Sequence, residues 1–287
     1  MKRIFATAAL AALFAAPAGA AWWAENDYSF GSNGLTKESL TLFDNATGRF
    51  TAGANAGFYK DSASYKDKVF SFRAPLMYSG KSYFISLKPF LYPVNPGTRS
   101  GAGGGKLYYM SSLSESDDES YLHLILSGAW ARQKAFASDG LSADQTYFSQ
   151  GAAEVQVDKS FYDQFFFLAS AAGFGKPSGG LDPRAVVKPV LDQSELAYLG
   201  TFRPATALPE WAMTVQAARN MKPDFDSHIY AGYSKISFRR GAMANSAIMG
   251  MKLGLNEKST LDVAYNAYKE EGAAWKNYYK LLLQLFF

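Results

Sequence analysis

Two histidines, His123 and His228, are the whole imidazole complement of the 287 residues, and there is no cysteine. A serine hydrolase carried on a strand needs its base and nucleophile on one face, two positions apart, so that the ring nitrogen reaches the hydroxyl. His123 has Ser127 four positions on, on the same face but about 13 Å away at strand rise. His228 has Ser227 beside it, on the opposite face, and Tyr230 two positions on. Neither shows the His-x-Ser spacing, so a hydrolytic pair would need a partner from a neighbouring strand. On this reading the chain is not an enzyme.

Other stretches invite and fail similar tests. Gly101-Ala102-Gly103-Gly104-Gly105-Lys106 has the glycine density of a phosphate-binding loop. Such a loop needs Ser or Thr after its lysine and a helix beyond. Leu107 follows instead, and the segment 95–106 reads as a loop. The acidic run Glu115, Asp117, Asp118 and Glu119 lacks the spacing of a calcium loop and reads as a solvated turn. No cofactor and no metal are implied.

The elements that must position these residues are strands. The first twenty residues have the form of a secretory signal: Lys2 and Arg3, an apolar run from Ile4 to Ala16, and Ala18-Gly19-Ala20 as cleavage site. Its removal near Ala20 leaves 27 of the 29 basic residues against 25 acidic ones, which argues for no nucleic-acid partner. No later stretch is apolar for long enough to make a transmembrane helix. Aromatics nevertheless reach 16 %, enough for one large core or for two interfacial girdles.

Period-2 alternation runs through residues 21–287, read as a single domain. Trp22 to Phe30 and Ser39 to Asp44 suggest a hairpin around Asn33-Gly34. Phe50, Ala52, Ala54, Ala56 and Phe58 share a face, as do Phe70, Phe72, Ala74, Leu76 and Tyr78. Ser79-Gly80-Lys81 turns into Tyr83, Ile85 and Leu87. A short strand follows at Leu107 to Ser111, and then Leu122, Leu124, Leu126, Gly128 and Trp130 alternate clearly. Asp158-Lys159-Ser160 reads as a turn between 147–157 and 161–172. Ala185 to Leu191 and Leu196 to Phe202 suggest a hairpin, although Pro189 cannot donate a ladder hydrogen bond. The last strand puts Trp275, Asn277, Tyr279, Leu281, Leu283, Leu285 and Phe287 on one face, and Lys276, Lys280 and Gln284 on the other. The count is about sixteen strands, or fourteen if one weak hairpin fails, an even number that leaves both ends at one rim.

A terminal strand of alternating apolar and aromatic residues ending in Phe287 resembles the closing strand and sorting signal of Gram-negative outer-membrane β-barrels. The implied fold is an all-β, closed antiparallel transmembrane β-barrel in the cell outer membrane. Trp275, Tyr279 and Phe287 would then serve at the membrane interface and in sorting. The partners this class implies are outer-membrane lipid and lipopolysaccharide, the barrel-assembly machinery, and small hydrophilic solutes. Parity directs Arg73, Lys88, His123, Glu154, Lys252, Asp262, Lys276 and Lys280 into the lumen, with Lys188, Lys235 and Glu195 beside them. The basic excess in that set would favour anions in a watery pore, unless acids elsewhere pair with it.

The expected function is a porin-like channel for passive diffusion. Next come a lipid hydrolase and a structural or exopolysaccharide-export barrel. Outer-membrane phospholipases and lipid A deacylases are barrels of similar size, and Glu25-Asn26-Asp27 resembles the Asn-Asp pair of the lipid A 3′-O-deacylases. That likeness stops there, because Gly31-Ser32-Asn33-Gly34 replaces the stretch expected next.

Overall fold

The computed structural model describes residues 21–45, 48–62, 67–97, 99–115, 120–138, 143–162, 164–178, 181, 186–222 and 227–287. Residues 1–20, read above as a secretory signal, and residues 116–119 of the acidic run lie outside the described residues, whereas Glu115 ends β7. Strands form where alternation supplies one apolar face: β1 (Ala21–Gly31), β2 (Leu35–Asn45), β3 (Phe50–Lys60), β4 (Val69–Arg73), β5 (Leu76–Ser79), β6 (Tyr83–Tyr92), β7 (Gly101–Glu115), β8 (Tyr121–Ser138), β9 (Ala143–Phe161), β10 (Phe165–Phe174), β11 (Val186–Lys188), β12 (Pro209–Lys222), β13 (Ser227–Phe238), β14 (Met243–Asn256), β15 (Ser259–Glu270) and β16 (Lys276–Phe286).

Successive crossings pair antiparallel, and β1 pairs with β16 from Trp23–Phe286 to Gly31–Tyr278, so the sheet closes on itself. The strands β4 and β5 are two halves of one crossing, each lying between β3 and β6. Pro75 interrupts it. Pro75 has no N–H to give, but its carbonyl accepts from Gly53 N–H at 2.8 Å and Ala74 N–H reaches Pro89 O at 3.1 Å. The barrel therefore has fourteen crossings, and β11 is an extra short strand on β8.

Fourteen is the lower of the two expected counts, and the hairpin that fails is the one containing Pro189. Val190, Leu191, Leu196 and Leu199 are at most 1 % exposed, which no lipid-facing strand would allow. Instead the segment turns through a short 3-10 helix, Gln193–Glu195, inside the barrel. Residue 95 onward is the second departure. The connection ends at Ser100, and Gly101 to Lys106 is strand, paired with Lys134 to Ala129 on one side, while Ala102 to Lys106 pair with Tyr92 to Lys88 on the other. A Cβ at Gly104 would lie 2.2 Å from Trp130 O and 2.9 Å from the Phe90 ring. The glycine run thus permits close approach of strands rather than loop freedom.

Smaller departures have equally simple causes. The sequence Asp158-Lys159-Ser160 is paired strand, and β9 continues to Phe161. The first hairpin turns at Ser32–Gly34 as expected, with positive φ at Asn33 and Gly34, but β2 begins at Leu35 rather than Ser39. Lys235 is exposed between Tyr233 and the paired Asn245 and faces outward. Lys188 belongs to β11, and its side chain lies outside the described set.

Outward residues form a continuous apolar band, including Phe72 at 47 %, Trp130 at 53 % and Met249 at 58 % exposure. A surface of this kind is stable against hydrocarbon. Cations over rings mark its edges, among them Lys68 on Phe58, Lys134 on Tyr147 and Lys159 on Phe161, as expected of interfacial anchors. The fold makes a direct prediction: Gly104→Val should prevent closure between β7 and β8. On a gel, the heat-modifiable folded band should be lost, whereas Gly128→Ala, with nothing within 4 Å of its added Cβ, should retain it.

Candidate functional site: a segment strapped across the lumen

The connection between β10 and β12 enters from the rim opposite the chain ends and crosses the lumen between Pro189 and Ala205. Its local shape follows from its residues. Pro189 stops strand pairing. The Asp192 carboxylate accepts the Ser194 and Ala205 N–H groups, each at 3.1 Å, and so ties the two limbs. Gly200 has φ 58°, and a Cβ there would lie 1.9 Å from Ser234 Oγ. Its carbonyl accepts from Ser246 Oγ at 2.6 Å.

One limb is bound to the wall made by β2, β3, β4 and β6. Lys37 Nζ lies 2.9 Å from Asp192 Oδ2. Arg73 Nε donates to Glu195 Oε1 at 2.6 Å, Arg73 Nη2 lies against the same oxygen, and Tyr92 Oη donates at 3.1 Å. Lys88 Nζ lies 3.0 Å from Glu195 Oε2. Arg73 is itself aimed by Asn55 Oδ1 at 2.6 Å, and Asn55 donates to Thr41 Oγ1 at 2.7 Å. Tyr59 Oη donates to the Val190 carbonyl at 2.5 Å.

The other limb is bound to β15 and its neighbours. Thr201 Oγ1 and Phe202 N–H both reach Asn266 Oδ1 at 3.2 Å. Arg203 contacts Glu270 and lies 3.3 Å from Asp61 Oδ2. Between the limbs, Tyr198 N–H donates to Glu154 Oε2 at 3.3 Å, an oxygen also met by Lys106 Nζ at 2.9 Å and Ser127 Oγ at 3.1 Å. Leu191, Leu196 and Leu199 fill the space between with Tyr59, Tyr92 and Ile236 from the wall.

Burial raises the Glu195 carboxyl, but the Lys88 and Arg73 charges outweigh it and hold its pKa well below the usual carboxylate range. Burial likewise depresses the Arg203 guanidinium, and Glu270 and the tyrosines near it raise it instead. The Tyr198 phenol is raised by burial and by the Glu154 charge. A depressed carboxylate contributes stability that is present above its unfolded pKa and lost only as pH falls through the folded one. The Glu195 contact therefore persists across neutral and mildly acidic pH.

Below the strap, toward the chain ends, the wall is half-buried and charged. Lys280 lies 3.9 Å from Asp27 and 3.8 Å from Asp262, with Nζ 5.9 Å from the Phe202 ring. Asp262 accepts from Tyr230 Oη at 2.8 Å, and register sets His228, Lys252 and Asp262 side by side. Glu25 accepts from Gln284 at 2.9 Å, and Glu25 and Asp27 share the inner face while Asn26 pairs on the outer one with Leu283 and Leu40.

The eight residues that parity directed into the lumen do not form one cluster. Arg73, Lys88 and Glu154 meet the strap, whereas Lys252, Asp262 and Lys280 line the chamber below and Lys276 lies at the far rim beside Tyr268. His123 stacks on Tyr121 at 4.2 Å between centroids. Partners do reach it from neighbouring strands, for register sets Ser112 on one side and Asp158 on the other. The Ser112 hydroxyl is nevertheless buried and makes no hydrogen bond. Trp275 and Tyr279 are exposed outward, Tyr279 stacking with Phe30, and Phe287 N–H bonds to Trp22 O at 2.9 Å. Among the described residues no group of three or more His, Cys, Asp or Glu could hold a metal ion.

Lys37, Lys106, Asp192 and Arg203 escaped the sequence reading. Lys37 preceded the assumed start of β2, Lys106 was hidden by the glycine run, Asp192 sat in the turn of the supposed hairpin, and Arg203 lay just past its end. The usable signal was Pro189 beside a capping Asp192.

The fold is that of a fourteen-strand outer-membrane β-barrel protein. It is similar to the CymD monoaromatic hydrocarbon channel, with a TM-score of 0.54 at 10 % identity over 94 % of this chain and 88 % of that one. It is also similar to a loop-deletion form of OmpT, an outer membrane protein of Vibrio cholerae, at 0.50 and 10 % over 93 % and 98 %. CdiB from Acinetobacter baumannii matches at 0.51 and 11 %, with 95 % of this chain on 61 % of that one. No protein-family model matches the chain, and no curated protein matches it in sequence.

Arg203 gives a test of the strap. Arg203→Gln removes the cation between Asp61 and Glu270. It should make 189–205 cleavable by added protease, roughly tenfold faster, while the heat-modifiable band is kept. Unchanged protection would show that this limb is held by other contacts.

Proposed function

We propose that the chain is an outer-membrane channel for passive diffusion of small hydrophilic solutes, with the strap as its restricting element. The observation that carries this reading is the inner wall: a charged, half-buried chamber leads to a segment held across the lumen by ion pairs and hydrogen bonds rather than by strand pairing. Such contacts exchange with water and ions, so a segment held by them can shift without breaking the strand ladder of the wall.

The strap also alters the expected selectivity. Asp192 and Glu195 offset Lys37, Arg73 and Lys88, Glu154 offsets Lys106, and Asp27 and Asp262 stand beside Lys280. With the strap in place the basic excess largely cancels. Once it withdraws, three cations lose their counter-charges, and each influences ions over about 8 Å at physiological ionic strength. In planar bilayers Asp192→Asn combined with Glu195→Gln should raise mean conductance several-fold, on the order of the population shift of a two-state gate. It should also move the reversal potential toward anion preference. A folded double variant that conducts as the parent does would show that the strap is not the barrier.

A lipid or ester hydrolase is the second reading, favoured by the Ser112–His123–Asp158 row. A buried hydroxyl without a hydrogen bond to its neighbouring base is poorly placed for attack. A serine-directed fluorophosphonate should therefore leave the protein unlabelled, and His123→Ala should keep its conductance. Labelling abolished by Ser112→Ala would reverse the order of the two readings.

A further inference from the structure

Resting on the channel reading, we propose that the wall carrying Lys37, Arg73, Lys88 and Tyr92 is a recognition site for a small dicarboxylate solute, in which Asp192 and Glu195 sit as internal stand-ins. Three features support it. The donors are built to hold a carboxylate: one guanidinium, one ammonium and one phenol converge on Glu195. That combination of a planar fork and a point charge suits a carboxylate well. The guanidinium is aimed from behind by Asn55, which is in turn held by Thr41, so the site is ordered by the wall and not by its occupant.

The occupants have the spacing of one ligand. Asp192 caps the 3-10 turn that ends at Glu195, three positions on. The two carboxylates reach the same wall, one at Lys37 and the other at Arg73 and Lys88. A free molecule with two carboxylates a few carbons apart presents the same pair of groups.

The site also has a mouth. The Lys88 side chain is 34 % exposed, whereas that of Glu195 is 5 % exposed. An incoming carboxylate meets Lys88 before it displaces Glu195. If closure were the only task, apolar side chains would fill this space at no loss, since buried ion pairs are often no better than well-packed hydrophobic replacements. Exchange between an internal and an external carboxylate gives the ion pairs a purpose.

Succinate binding to detergent-solubilised, heat-modifiable protein tests this by calorimetry. Asp192→Asn with Glu195→Gln should bind succinate at least tenfold more tightly than the parent, because the internal competitor is gone. Adding Arg73→Gln and Lys88→Gln should abolish that binding, and neutral succinamide should not bind. Arg203→Gln, which loosens the strap and keeps both acids, should also tighten binding and serves if the amide variant does not fold. Binding no tighter than the parent in both variants would overturn the proposal, as would equal affinity for inorganic phosphate or succinamide. Because no flux is measured, a protein that binds succinate but never conducts would overturn the channel reading alone. One that conducts without binding would overturn only this site.

Discussion

Hydrocarbon supplies no hydrogen-bond partner, so every backbone N–H and C=O that crosses it has to be paired within the protein. Most of this structure follows from that constraint. The strands β1 and β16 must meet, because an unpaired edge could not remain in lipid. Pro75, which cannot donate, is tolerated because the ladder resumes at Leu76 and the carbonyl of Pro75 is still used by Gly53. Closure fixes parity around the whole circle, and parity decides which charges face water. A single slip by one residue in β16 would turn Lys280 to lipid and Leu281 to the lumen, at a cost of about 2–4 kcal/mol for a midplane charge.

This explains why so much of the fold was legible from residue order. Alternation in β4, β5, β8 and β16 is a local record of a global boundary, and it survives without any knowledge of partners. The failures have the opposite cause. Gly104 reads as loop because glycine is usually a turn residue, and only the Trp130 carbonyl on the neighbouring strand explains its presence in β7. The segment around Leu191 and Leu196 alternates enough to imitate a hairpin, although its apolar residues are buried inside the lumen instead of facing lipid. Sequence periodicity reports that a residue leaves water; it does not report which apolar medium it enters.

The site was legible only by halves for the same reason. The wall cations Arg73 and Lys88 lie on regular strands, so parity located them. Their counter-charges lie on a segment without period, and nothing local to Asp192 or Arg203 reveals a partner more than a hundred residues away. An excess of lumen-facing lysines was consequently an incomplete electrostatic description. The complete one adds the strap, which carries acids toward the basic wall and Arg203 toward Glu270.

That arrangement also bears on how firmly the strap is held. Its apolar contacts, from Leu191, Leu196 and Leu199, are non-directional and would by themselves let it settle in many poses. The ion pairs and the bonds to Asn266 select one pose, and each demands good geometry to offset the desolvation of the charges it uses. The two kinds of contact therefore do different work: the leucines keep the segment in the lumen, and the charges determine where. Weakening the charges should loosen its position before it expels the segment. A solute competing for Arg73 and Lys88 needs only to shift the limb that carries Glu195, while Thr201, Phe202 and Arg203 continue to hold the other limb to β15. Partial displacement of a segment tethered at both ends is a smaller change than unthreading it. It leaves the fourteen-strand wall, on which the recognition residues are mounted, in place.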